Sequence, residues 1–318
     1  MTNDLAIEAN GLKKSYNATP AVNGIDLRVD PGTVFALLGP NGAGKTTTVR
    51  ILSTLTAPSA GTARVAGADV MGDRAAVRRQ ISLTGQYAAV DELQTGAENL
   101  RMIGRLQGFT ARAARARAAE LLERFDLVDA GGRRVATYSG GMRRRLDLAA
   151  SLVRRPRVLF LDEPTTGLDP RSRRGLWSLV SSLVADGVTV FLTTQYLDEA
   201  DALASRIAVL DHGRIVAEGS AAQLKATVAG RRLVMRCVDA GAFDEVLARA
   251  GERAVDRDRP LGTLAVKCDG NGATVRGLLD ELDPDRSRIA DFSLRTASLD
   301  DVFLTLTGHT AESETHRD

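Results

Sequence analysis

Excess charge is the first thing missing: 42 basic residues stand against 40 acidic ones, a formal balance of +2. A chain so near neutrality shows no sign of gripping nucleic acid or a membrane surface by bulk charge, and no nucleic-acid partner is expected. Cysteine is scarce too. Cys237 and Cys268 lie far apart, fit no metal-ligand spacing, and read as buried thiols in a reducing cytoplasm. No apolar run approaches the ~20 residues needed to cross a bilayer, so any membrane role must come through a partner. The opening Met1-Thr2-Asn3-Asp4 is polar and leads into a strand, without the charged and then apolar plan of a secretory signal. The 318 residues suit about two domains.

What the chain does hold is Gly39-Pro40-Asn41-Gly42-Ala43-Gly44-Lys45-Thr46-Thr47, which follows the pattern of a phosphate cradle. Before it, Thr33 to Leu38 is a short apolar run of the kind buried on both faces of a parallel sheet. After it, Thr46 to Leu55 reads as a helix. Glycines let backbone N–H groups turn toward the α- and β-phosphates, and the helix N-terminus adds partial positive charge. Lys45 then reaches the β- and γ-phosphates, the Thr46 hydroxyl ligates magnesium, and Thr47 is a second donor. Gly39, Asn41, Gly42 and Gly44 shape the loop around them.

Upstream, Leu5 to Tyr16 and Ala21 to Val29 read as strands, with Tyr16 in the loop between them. Its ring could stack on adenine or simply sit at the surface. Downstream, Gly61 to Val70 and Ile81 to Thr84 are strands flanking a short helix, and Gln86 follows as a magnesium or water ligand, or a plain polar loop residue. From Val90 to Val128 the pattern is helical and rich in alanine, arginine and leucine, with Arg112, Arg115 and Arg117 read as a solvated face. Ser139-Gly140-Gly141 then opens a helix: serine caps it, and the two glycines leave N–H groups bare for an anion. Val158 to Leu161 is a buried strand delivering Asp162 and Glu163 to its C-terminal edge, where ligands bind in open α/β sheets. Asp162 would hold magnesium and Glu163 would polarise the attacking water. Asp169 lies in a tight loop before a helix that contains Trp177, read as core, and the buried strand Val188 to Thr194 ends at Gln195. The last third alternates strand and helix on the ferredoxin-like plan, if Arg253 to Arg257 counts as its third element.

With the phosphate loop, Gln86, the Ser-Gly-Gly element, the Asp162-Glu163 strand and the Asp169 loop in this order, the chain resembles an ABC transporter ATP-binding subunit from residue 5 to about residue 225. Tyr-Ser-Gly-Gly-Met-Arg-Arg-Arg-Leu-Asp from Tyr138, Thr-Thr-Gln-Tyr-Leu-Asp-Glu-Ala-Asp from Thr193 and Leu-Asp-Asp-Val-Phe-Leu from Leu299 are similar to the daunorubicin and doxorubicin resistance subfamily. The resemblance implies an α/β fold: a P-loop NTPase ABC domain over residues 1–222 with a helical insert at about 88–155, then a small α+β domain over 223–308 and a disordered tail at 309–318. It also implies ATP and Mg2+ as cofactors, the ion held by Thr46, Gln86 and Asp162. In a head-to-tail homodimer, Ser139, Gly140 and Gly141 of one copy close on the nucleotide held by the other, with Asp169 nearby. A separate transmembrane permease docks near Gln86 and the insert, at the cytoplasmic face of the membrane, and the pair exports a drug, antibiotic or other hydrophobic compound.

Two positions depart from the general family pattern. Met142 stands where the signature usually has glutamine, and Gln195 where a histidine usually contacts the γ-phosphate. An amide donates a hydrogen bond but cannot become charged, which leaves Glu163 as the principal catalytic group. The competing class, a soluble ABC ATPase acting on ribosomes or nucleic acid, usually has two cassettes or a long coiled coil, and this chain has neither.

Overall fold

The computed structural model describes residues 5–17, 19–86, 89–227, 231–295 and 298–308. The described residues divide into one unit running to Ala221 and a second beginning at Ala222. The tail at 309–318 lies outside the described residues.

In the first unit, strands β1 (Ile7–Tyr16), β2 (Thr19–Val29), β4 (Ala60–Val65) and β5 (Ala68–Asp69) form an antiparallel sheet in the order β2-β1-β4-β5. A second sheet takes β3 (Val34–Leu38), β6 (Ile81–Thr84), β7 (Val158–Asp162), β8 (Thr189–Thr194), β9 (Arg206–Asp211) and β10 (Arg214–Gly219) in the order β10-β9-β3-β8-β7-β6. All its pairs are parallel except β10 with β9. β3, β7 and β8 are buried along their whole length, as apolar runs without alternation require when both faces are covered. Phe191 stacks on Phe35 with ring centroids 5.5 Å apart and tilts against Phe160 at 5.6 Å. Parallel pairing then sets Leu38 beside Thr194 and Asp162 beside Thr193, so three strands end together at one rim.

Helices α1 (Lys45–Leu52) and α2 (Arg74–Gln80) follow β3 and β5. The stretch between β6 and β7 forms α3 (Gly96–Leu106), α4 (Ala111–Arg124) and α5 (Gly140–Ser151), each opened by a side-chain cap. Thr95 and Glu98 make a capping box, Thr110 caps α4, and Ser139 accepts from Met142 N–H at the start of α5. α6 (Pro170–Ala185) starts at an Asp169 cap with proline in its first turn, and α7 (Leu197–Leu203) follows β8. α8 (Ala221–Thr227) lies at the division between the units.

Three local readings need correction. Tyr16 is the last residue of β1, paired with Thr19, rather than part of a loop. Arg117 is no solvated face: its guanidinium donates to Leu152 O at 2.7 Å and Val153 O at 3.2 Å and pairs with Glu120. α4 packs that residue against the end of α5, and its aliphatic stem goes in with it. Trp177 is half-buried, with Nε1 donating to Glu199 Oε1 at 3.3 Å.

The second unit runs β11 (Arg231–Cys237), α9 (Ala240–Ala250), β12 (Ala254–Asp258), β13 (Thr263–Cys268), α10 (Gly272–Leu282), β14 (Ile289–Arg295) and α11 (Leu299–Thr307). Its sheet is antiparallel in the order β12-β13-β11-β14. Strand, helix, strand, strand, helix, strand in that order is the ferredoxin-like arrangement. Leu233, Met235, Leu264 and Val266 pack with Phe243 and Val246 of α9 and Leu282 of α10. Each such side chain is worth about 1.5–3 kcal/mol of burial.

Candidate active site

The loop between β3 and α1 is held by backbone approaches too close for a side chain. A Cβ on Gly39 would stand 2.3 Å from Leu210 O, and one on Gly44, whose φ is +109°, would stand 2.2 Å from Ala21 O. α1 begins at Gly44 with no side-chain cap, which leaves its first N–H groups for an anion. Lys45 is only 4 % exposed. Its Nζ donates to Gly39 O at 2.8 Å and Pro40 O at 3.1 Å and lies 3.2 Å from Glu163 Oε1. Asn41 and Gly42 are exposed at the loop tip, and Thr46 and Thr47 are half-buried behind it.

The two carboxylates arrive from β7. Asp162 Oδ1 accepts from Thr46 Oγ1 at 3.2 Å and from Thr193 Oγ1. Glu163 has φ +50°, a left-handed conformation unusual for its type. Its N–H is held at 3.0 Å by Thr193 O, so β8 fixes the turn that aims the carboxylate at Lys45. Thr193 therefore touches both acids, a role that the apolar β8 pattern does not announce. Thr46 Oγ1 and Asp162 Oδ1 are hard oxygen donors set side by side, a fit for Mg2+, which binds few protein ligands and fills its shell with phosphate and water. Among the described residues there is no group of three or more His, Cys, Asp or Glu that would make a protein cage for a metal.

The remaining candidates take different places. Gln195 follows β8 half-buried, one residue past Thr194, whose carbonyl accepts from Gly39 N–H at 3.3 Å. Tyr16 is 46 % exposed, with Lys14 Nζ 5.1 Å from its ring centroid. It sits on the hairpin whose second strand meets Gly44 at Ala21. Gln86 is exposed after β6. Ser139 and Gly140 are exposed at the start of α5, and no described hydrogen bond or ion pair joins them to the phosphate loop. Gly141 faces α6: a Cβ there would stand 2.4 Å from Ser172 Oγ, itself held at 2.6 Å by Asp169. Backbone and side-chain donors of Ser172 keep the Asp169 carboxyl below the usual carboxylate range.

Three buried ionisable groups escape the sequence. Arg144 donates through Nε to Pro164 O at 2.7 Å, next to Glu163, and through a terminal nitrogen to Gly85 O at 2.7 Å, next to Gln86. Its ion-pair partner Asp147, at 3.3 Å, accepts from Ala89 N–H at 2.9 Å, beyond the other end of the Gln86 segment. Burial lowers the Arg144 pKa and raises that of Asp147, more than their mutual attraction offsets. Glu199 on α7 is fully buried, and desolvation pushes its pKa up to about 7. Its Oε1 accepts from Trp177, while among the described residues its Oε2 and the Thr165 hydroxyl have no hydrogen-bond partner of good geometry.

Comparison with known proteins adds lineage to this geometry. Residues 22–166 match the ABC transporter family model. The daunorubicin/doxorubicin resistance ATP-binding protein DrrA of Streptomyces peucetius is 54 % identical over 96 % of this chain and 94 % of its own length. The doxorubicin resistance ATP-binding protein DrrA of Mycobacterium tuberculosis is 48 % identical over 98 % and 97 %. A Nod factor export ATP-binding protein I of Paraburkholderia xenovorans is 39 % identical over 96 % and 98 %. Among structures, the ATP-binding subunit of an ABC transporter shares 26 % identity over 70 % of this chain and 92 % of its own, with a TM-score of 0.62. A dimeric ATP-binding cassette bound to ADP and phosphate has the same fold, at a TM-score of 0.62 and 24 % identity over 67 % of this chain and 98 % of its own. The chain thus belongs to the ABC transporter family, among its daunorubicin and doxorubicin resistance ATP-binding subunits, and is the ATP-hydrolysing subunit of an exporter.

Proposed function

We propose that this subunit binds Mg2+ and ATP at the β3–α1 loop and works as a head-to-tail homodimer on a separate transmembrane permease at the cytoplasmic face of the membrane. Its cargo is a hydrophobic compound of the drug or antibiotic kind. The observation that carries the reading is the convergence of Lys45, Thr46, Asp162 and Glu163 at one sheet rim, within 3.2 Å of one another in pairs. Lys45 and the α1 N-terminus hold the phosphates, while Thr46, Asp162 and Gln86 would hold the ion, which would supply positive charge against the transferring phosphoryl group. Glu163, aimed by its left-handed turn, takes a proton from the attacking water. Gln195 donates to the γ-phosphate, and Tyr16 stacks on adenine. Ser139, Gly140 and Gly141 supply bare N–H groups to the partner's nucleotide, with Asp169 fixing the neighbouring α6 start. Support for the cargo comes from relatives named for daunorubicin and doxorubicin resistance. Support for a permease comes from the lack, among the described residues, of any helix long and apolar enough to cross a membrane.

The test is drug accumulation in cells expressing this chain with its permease, against cells expressing the Glu163→Gln variant. Lower accumulation with the native chain alone is expected. Equal accumulation in both, with the native chain still hydrolysing ATP, would overturn the drug-like cargo and leave the ATPase standing.

A further inference from the structure

The second unit's sheet has two outer strands, and they are finished differently. β12 carries Asp256, Arg257 and Asp258 and breaks register with β13 between Ala254 and Asp256. Charge and a register break are ways in which natural sheets block edge-to-edge pairing. β14 runs in unbroken register with β11 from Asp291 to Arg295, and among the described residues no strand pairs with its outer edge. Its helix-side residues Phe292 and Leu294 lie opposite Met235 and Leu233, both fully buried, yet are 52 % and 42 % exposed. The apolar layer beneath α9 and α10 therefore continues one strand further and stops in solvent.

The residues of β14 are self-complementary about Ser293. Pairing two copies antiparallel with Ser293 facing Ser293 sets Phe292 opposite Leu294 twice on one face. On the other face it sets Asp291 opposite Arg295 twice. Opposite charges and large apolar side chains in direct cross-strand positions each stabilise a pair. A register centred on Phe292 would instead put Asp291 against Ser293 and Arg295 against Ile289, losing both ion pairs. We propose that β14 is a homodimer edge: two copies of this chain join their four-stranded sheets through β14, in the register centred on Ser293. The contact is small, so it is read by trapping it covalently, and it needs no nucleotide, unlike an ATP sandwich.

Cross-linking of the purified full-length chain without nucleotide tests this. Directly opposed residues of an antiparallel pair bring their Cβ atoms about 4.5–5.5 Å apart, within adjustment of disulfide geometry. Cys237 and Cys268 are buried, so an oxidant reads the introduced thiol. Ser293→Cys should give a covalent dimer, whereas Ala290→Cys, exposed on the same strand but far along it from its counterpart in this register, should give little. Adding Asp291→Arg to Ser293→Cys should remove most of the dimer by setting like charges together, and adding Arg295→Asp as well should restore it. Equal cross-linking at 290 and 293, no cross-linking at 293 in folded protein, or indifference to Asp291→Arg would each overturn the pairing. No cross-linking at 293 would mean that another partner covers the edge, and indifference to Asp291→Arg would mean that two copies meet in a different register. Repeating the series in a Lys45→Ala background should change nothing. ATP-dependent dimerisation of Glu163→Gln, measured separately, reports on the sandwich alone.

Discussion

The two units handle charge in opposite ways. At the rim of the six-stranded sheet Lys45, Asp162, Glu163, Arg144, Asp147 and Glu199 are all buried. In the ferredoxin-like unit Arg253 with Glu281 and Arg259 with Asp244 are ion pairs at the surface. There the buried acid Asp283 is absorbed by three backbone N–H donors from Ser287, Arg288 and Ile289. Taking ions out of water costs several kcal/mol each unless every partner is in place, and replacing such groups by apolar ones is often neutral or stabilising. A cluster of six buried ionisable groups therefore points to work beyond holding the fold, whereas surface pairs contribute little to stability.

That contrast can be broken in order of effect. Lys45→Ala should weaken ATP binding by about 30-fold or more, since a truncated partner of a buried charge costs about 2–5 kcal/mol; titration with ATP measures it, and retained affinity would empty the rim of its role. Arg144→Leu should destabilise the first unit by about 3–5 kcal/mol, because Asp147 stays behind unpaired. The double variant Arg144→Leu/Asp147→Leu should recover most of that stability but not ATP turnover, with calorimetry and steady-state hydrolysis read side by side. Recovery of both would make the pair purely structural. In the other unit, Phe243→Ala should cost a similar 3–5 kcal/mol through its cavity while ATP affinity stays at the native value.

Glu199 gives a pH signature. Its folded pKa, about 7, lies above the ordinary 4.5, so the native state holds a proton that the unfolded chain releases. Stability from this group is full below pH 4.5 and is lost as pH rises to about 7. Over that window the native chain should lose on the order of 1–3 kcal/mol relative to Glu199→Gln, as seen in urea titrations at several pH values. Parallel curves would show Glu199 ionised in the fold. Smallest of all, Glu281→Ala should leave the melting temperature unchanged within error, and a clear drop would erase the distinction between the units.

Much of the rim is legible in sequence because its signals are local. Apolar runs without alternation name β3, β7 and β8, and the phosphate loop and Asp162-Glu163 stand at their ends. Arg144 is not legible. In Arg143-Arg144-Arg145 nothing nearby marks which arginine turns inward, and its acceptors Gly85 O and Pro164 O are remote in the chain. Arg117 misleads for the same reason, since its acceptors Leu152 O and Val153 O lie just past the end of α5, remote in the chain. Tyr16 fails by one boundary: β1 continues to the last residue before the turn. The open edge of β14 is invisible because alternation tells which face is apolar but not how far the helices reach across it.

One measurement bears most directly on the rim as a catalytic site: ATP turnover and ATP binding by Glu163→Gln, measured on the same preparation. If Glu163 takes the proton from water, turnover should fall by about 10²–10⁴-fold while binding stays near the native affinity. Turnover at the native rate would contradict the assignment and leave the buried contact with Lys45 as a structural ion pair.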